Sequence, residues 1–278
     1  MTTPHLTLHQ VSKTYEEKDQ VVPAIASVSF SVAAGEFVAL VGPSGCGKST
    51  LFKMIVGLLE PDEGEIRLMG QAREPRTGLF GYMPQRDLLL PWRTILENVI
   101  LGPELAGHDL KAAREEAMSL LPLFGLEGFH NAYPATLSGG MRQRAALLRT
   151  FLCHHDVMLF DEPFGALDAL TRRDLQTWLL DIWRQFNKTI LFITHDIEEA
   201  LYLSDRVITL TPRPGRLQLD LTVELPRPRT LDILVRPRFV ELKAHLMSTL
   251  RGEKLLPHLL APGKKYSQQG ELGGTGGN

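Results

Sequence analysis

Cysteine is scarce in this chain. Of its 278 residues only Cys46 and Cys153 are cysteines, which is too few for a disulfide framework and suits a reducing cytosol. An excess of one charge is also missing. The 30 Lys and Arg against 32 Asp and Glu leave a net charge of −2, which gives no general reason to expect nucleic-acid binding. Long apolar runs are lacking too: stretches such as residues 189–194 fall far short of the about 18 that a membrane helix needs. Any membrane role therefore comes through a partner. Residues 1–10 are short of apolar length and broken by Pro4, His5 and His9, which argues against a signal peptide. No internal repeat is visible. The chain is otherwise ordinary for a globular protein, with 44% hydrophobic residues and enough material for one large domain or two small ones.

The stretch that organises the rest is residues 42–50, Gly42, Pro43, Ser44, Gly45, Cys46, Gly47, Lys48, Ser49 and Thr50. It follows an apolar run, residues 37–41, that reads as a buried strand, and it opens a helix expected over 48–57. Glycines let bare N–H groups wrap an anion, Lys48 adds a point charge, and the Ser49 hydroxyl suits Mg²⁺. The positive end of the helix would face the same phosphates. A glycine-rich turn with a chance Lys-Ser is the plain alternative, and the strand before and helix after weigh against it.

Along the chain, residues 5–11 alternate as a strand, and Ile25, Val28, Phe30 and Val32 suggest a second. Tyr15 falls in a polar stretch expected to be a loop. It is either a half-buried aromatic or a platform for an adenine ring. Short strands are expected at 64–69 and 79–83, then a mostly helical segment over about 87–151 with helices at 94–101 and 110–123. Strands at 157–160 and 189–194 flank a helix at 171–186, where Leu175, Trp178, Leu179, Ile182, Trp183 and Phe186 share one face, placing both tryptophans in the core. Alternating strand and helix predicts a parallel sheet with crossover helices. A helix at 197–203, strands at 206–210 and 217–225, and a last helix at 237–250 follow, and residues 263–278 read as a flexible tail. The six arginines of residues 213–238 read as a solvated face, with anionic lipid as the alternative ligand. Cys153, His154 and His155 look metal-like but are consecutive, and read as a helix end and loop.

A second anion site is written at Leu137-Ser138-Gly139-Gly140-Met141, where Ser138 is a natural helix N-cap and two glycines leave first-turn N–H groups uncovered. Residues 157–162, Val-Met-Leu-Phe-Asp-Glu, end a strand in two carboxylates. The combination of loop, signature and acids in this order resembles the ABC-type ATPases over about residues 5–212. Met141 stands where that signature most often has Gln.

The resemblance implies an α/β phosphate-loop NTPase of ABC-cassette type: a mixed sheet core, an antiparallel β subdomain and a helical subdomain inserted at about 87–151. Residues 1–262 would be a single ATPase domain with a C-terminal extension over about 213–262. It implies ATP and Mg²⁺ as cofactors. Asp161 would hold Mg²⁺ through water with Ser49 and Gln85, and Glu162 would polarise the attacking water. Gln85 would sense the helical insertion. His195, in Ile193-Thr194-His195-Asp196, would bind the γ-phosphate, Tyr15 would stack the adenine, and Asp168 would meet its counterpart across a dimer. Ser138, Gly139 and Gly140 of a second copy would then close over the nucleotide.

Only 89 positions separate Lys48 from Leu137, 137 − 48, without sustained heptads. This is unlike a chromosome ATPase with a long coiled coil. A single cassette without a fused membrane domain is similar to bacterial-type importers, in which two copies drive a separate permease fed by an extracytoplasmic solute-binding protein. The sequence Tyr82-Met83-Pro84-Gln85, the segment from Leu88 to Thr94, and Leu225-Pro226-Arg227-Pro228-Arg229 resemble the importer branch for nitrate, sulfonate, taurine and pyrimidine precursors. That implies a peripheral place on the cytoplasmic face of the cell membrane. A non-transport ABC ATPase acting on nucleic acid or the ribosome is the alternative. The apolar segment 88–92, just after Gln85, is expected either to receive a permease helix or to pack the helical insertion.

Overall fold

Strand character sorts the chain into two sheets. The computed structural model of the chain describes residues 3–17, 20–165 and 167–252; the expected tail and the end of the C-terminal extension lie outside the described residues. The strand β1 (Leu6–Glu17) pairs antiparallel with β2 (Gln20–Val32), Leu6 opposite Val32 and Tyr15 opposite Val22. Tyr15 is therefore a strand residue and not a loop residue. Register shifts between Leu8 and Thr14 break the alternation, which is why the apolar pattern stops at Val11 although the pairing continues.

Every residue of β3 (Phe37–Val41) is buried, as a strand covered on both faces requires. It feeds α1 (Lys48–Ile55), which gives way to Gly57 at φ +78. β4 (Glu63–Leu68) and β5 (Gln71–Ala72) complete an antiparallel sheet of order β2-β1-β4-β5. After β6 (Gly81–Met83) the chain turns helical. The helix expected over 94–101 is two short pieces, α2 (Ile95–Val99) and α3 (Leu101–Leu105). A capping box from Thr94 and Glu97 opens α2, and Pro103, whose ring nitrogen has no hydrogen to donate, lies in α3. α4 (Leu110–Leu120) and α5 (Gly139–Phe151) complete the helical segment.

The chain then alternates through β7 (Val157–Asp161), α6 (Ala169–Phe186), β8 (Thr189–Thr194), α7 (Ile197–Leu203) and β9 (Arg206–Leu210), ending in β10 (Leu217–Thr222) and α8 (Pro237–Arg251). The second sheet has the order β10-β9-β3-β8-β7-β6, with β10 antiparallel and the other neighbours parallel. The carboxyl ends of β9, β3, β8, β7 and β6 consequently form one edge, where open α/β sheets place their ligands. One apolar cluster joins the parallel sheet to the helical segment through Phe160, Phe124 and Leu147, and a second lies under the antiparallel sheet around Leu8, Val28 and Phe52.

Both tryptophans pack. Trp183 is buried with its Nε1 donating to the Lys188 carbonyl at 2.8 Å; Trp178 is half-buried and donates to the Leu123 carbonyl at 2.9 Å. Cys153 and His154 do sit where the chain leaves α5, His154 pairing with Glu116 at 3.0 Å. The arginine-rich stretch is only partly a solvated face. Arg229 is buried, donating to the carbonyls of Leu201, Tyr202 and Ser204 at the end of α7, where a helix leaves carbonyls without intrahelical partners. Arg227 pairs with Asp205 at 2.6 Å and lies 4.2 Å from the Trp183 ring. Arg236 and Arg238 keep to the surface, paired with Asp232 and Glu224.

Candidate functional site

The loop after β3 is shaped by its glycines. Gly47 has φ +102, and a Cβ there would stand 2.6 Å from Ile25 Cδ1 and 2.9 Å from the Ala24 carbonyl. Only glycine fits so close to β2. At Gly42 a Cβ would come within 2.8 Å of the buried Cys46 sulfur, so these two residues close the base of the loop. Lys48 Nζ donates to the carbonyls of Gly42 at 2.7 Å and Pro43 at 3.1 Å, which holds a cation over the loop. The resulting cavity, about 330 Å³, is lined by Ser44, Gly45 and residues 47–50, with Glu162 on one side and Ala24 and Arg213 among its other walls.

The neighbouring strand ends supply oxygen and nitrogen groups. Ser49 Oγ donates to Asp161 Oδ1 at 3.3 Å. Burial raises the Asp161 carboxyl above its ordinary range; the Ser49 hydrogen bond opposes this and the Glu162 charge adds to it. Glu162 follows at φ +48, a conformation few non-glycine residues adopt, with its N–H donating to the Ile193 carbonyl at 3.1 Å. This turn swings its carboxylate to the sheet edge. There Gln85 Nε2 donates to Glu162 Oε2 at 3.1 Å, and His195 Nδ1 lies 3.5 Å from the same oxygen. Three strand ends thus converge on one carboxylate oxygen, an arrangement able to orient and deprotonate a water. Tyr15 joins the cradle through its hydroxyl, 3.3 Å from Thr50 Oγ1.

Ser138, Gly139, Gly140 and Asp168 are not among the residues lining this cavity. Ser138 caps α5, its Oγ accepting from the Met141 N–H at 3.2 Å, and Asp168 caps α6, accepting from Leu170 and Thr171 N–H groups at 3.1 and 3.0 Å. A Cβ on Gly140 would stand 2.8 Å from Thr171 Cγ2, so the first turns of the two helices lie side by side. The sequence motifs therefore fall into two surfaces of one molecule: the cradle, and a pair of helix starts outside it.

Some site neighbours escape the motif reading. Arg213 and Ala24 line the cavity, Gln143 of α5 donates to the Pro163 carbonyl just past the acids, and buried Glu199 accepts from Thr194 Oγ1, the residue before His195. Helical periodicity already puts Gln143 on the same face as buried Leu147; nothing local marks Arg213, whose place depends on strand order.

Residues 25–165 match the ABC transporter family. This chain is a member of that family. As an ABC cassette it is 43% identical over 252 residues to the formylaminopyrimidine import ATP-binding protein ThiZ of Halalkalibacterium halodurans, covering 90% of this chain and 98% of that protein. It is 40% identical over 256 residues to the nitrate import ATP-binding protein NrtD of Synechocystis, covering 90% and 96%. Its fold is similar to the dimeric, post-hydrolysis structure of the ATP-binding cassette MJ0796 bound to ADP and Pi, with a TM-score of 0.68 and 30% identity over 80% of this chain and all of that one.

Proposed function

We propose that this ABC cassette is the ATP-hydrolysing subunit of an importer for a small solute of the nitrate, sulfonate, taurine or pyrimidine-precursor class. The carrying observation is the convergence of Gln85 and His195 on Glu162 Oε2 beside the Lys48 loop. Loop N–H groups and Lys48 bind the β- and γ-phosphates, and Tyr15 takes the adenine. Ser49 and Asp161 offer the hard oxygen donors Mg²⁺ requires, and with Gln85 would hold that ion, which when bound neutralises phosphate charge. Glu162 accepts a proton from the attacking water, which Gln85 and His195 hold in line.

The cradle alone leaves the γ-phosphate open, and Ser138, Gly139, Gly140 and Asp168 lie elsewhere. A second copy supplies them, as the dimeric state of the MJ0796 cassette suggests. Closure of the pair moves a membrane permease, and hydrolysis reopens it. No helix among the described residues is long and apolar enough to cross a membrane. The import role of the relatives supports a peripheral place on the cytoplasmic face, with an extracytoplasmic solute-binding protein feeding the permease. The import role of its relatives and its balanced charge weigh against the nucleic-acid or ribosome alternative.

Glu162→Gln tests the assignment. It keeps the hydrogen-bond geometry but removes the base, so turnover should fall at least about 100-fold while ATP holds a stable dimer in size-exclusion chromatography. Normal ATPase activity in this variant would sink the general-base role.

A further inference from the structure

Arg213 stands at the mouth of the cavity with no role among the motifs. It lies in the turn between β9 and β10, is exposed, and among the described residues has no ion-pair or hydrogen-bond partner. Its position is nonetheless fixed. Gly215, two residues on, donates its N–H to the Ala24 carbonyl at 2.9 Å and accepts from the Ala26 N–H at 3.0 Å, bridging the turn to β2. Thr211 Oγ1 donates to the Pro214 carbonyl at 3.0 Å and accepts from the Arg216 N–H at 3.0 Å, which closes the turn on itself. A Cβ on Gly215 would come within 2.2 Å of the Cys46 carbonyl, so the turn rests directly on the phosphate loop.

Sheet order assigns the direction. β9 is parallel to β3 and adjacent to it, on the side opposite β8 and β7, so the phosphate loop lies between Arg213 and the carboxylates Asp161 and Glu162. The Ala24 wall belongs to the same strand pair as Tyr15. A nucleotide with its γ-phosphate at Glu162 would therefore present its inner phosphates toward Arg213. A guanidinium offers a planar fork to two phosphate oxygens, where Lys48 offers a point charge.

We propose that Arg213 is a nucleotide-binding residue that grips the α- and β-phosphates of a nucleoside di- or triphosphate from the side opposite the catalytic carboxylates. The proposal rests on the cradle reading above. Because the contact is remote from the γ-phosphate, it strengthens ATP and ADP alike.

The test is equilibrium titration of the full chain, as wild type, R213A, R213K and K48A, with Mg-ATP and with Mg-ADP. R213A should weaken both nucleotides by the same factor, about tenfold, R213K should recover part of the loss, and the melting temperature of nucleotide-free R213A should match wild type. Unchanged affinities in R213A alongside lost binding in K48A would overturn the proposal while the cradle stands. A loss confined to ATP would place Arg213 at the γ-phosphate and overturn it, and a lowered melting temperature in R213A would assign the loss to the turn's folding. Wild-type affinity in K48A would remove the cradle reading and the proposal together.

Discussion

Glu199 is a carboxyl held out of water behind the His195 loop. Burial pushes its pKa up to about 7 from an ordinary 4.5, against the lowering effect of hydrogen bonds from Thr194 and Gln176. The folded chain then binds a proton that the unfolded chain has already released between these values. Its contribution is full below about pH 4.5 and is lost as pH rises through about 7, so stability declines across that window. Glu199→Gln keeps the hydrogen bonds without the titration. Between about pH 5 and about pH 8 the wild-type melting temperature should drop about 5 °C relative to the variant, and parallel thermal-shift profiles would refute this. Glu162 is legible in the sequence as an acid at a strand end, but its left-handed backbone, which aims the carboxylate at Gln85 and His195, is not.

Among the elements, the segment between β6 and α2 is the one proposed to meet the permease. Its backbone is pinned: Arg149 of α5 donates to the carbonyls of Leu88 at 2.8 Å and Asp87 at 2.5 Å, and Asn98 of α2 donates to that of Leu90 at 3.1 Å. Its side chains divide. Leu89 packs into the core, whereas Leu88 and Trp92 are 52% and 71% exposed, so Trp92 does not serve to fill the helical segment. An apolar groove of about 550 Å³, lined by Phe80, Tyr82, Pro103 and Leu105 among others, would on the importer reading extend the surface open to a permease helix. Trp92→Ala should leave ATP affinity within about twofold of wild type but cut solute uptake by the assembled transporter at least about fivefold, measured in vesicles. Wild-type uptake would remove Trp92 from the docking surface. The sequence marks this segment as apolar, but which of its residues face out depends on neighbours contributed by α2 and α5.

The whole molecule keeps two surfaces apart within one chain, the cradle at the carboxyl edge of the sheet and the paired starts of α5 and α6 beside Ser138 and Asp168, which the proposed dimer would join as half-sites. Ser138→Arg places bulk and charge at the second half-site alone. It should leave ATP binding by the monomer within about twofold of wild type while lowering ATPase activity at least about 50-fold and abolishing the ATP-dependent dimer seen by light scattering. Unimpaired ATPase activity would refute a shared site. Local chemistry made legible what can be read in one dimension: a glycine-rich loop between strand and helix, a strand ending in Asp161 and Glu162, and the capping residue Ser138 each act through neighbours a few positions away. Strand order, the Glu162 turn, the burial of Arg229 under α7 and the approach of Arg213 to the cradle were decided only by the tertiary structure. Each brings together residues far apart in the chain, and no local pattern encodes which strand lies beside which.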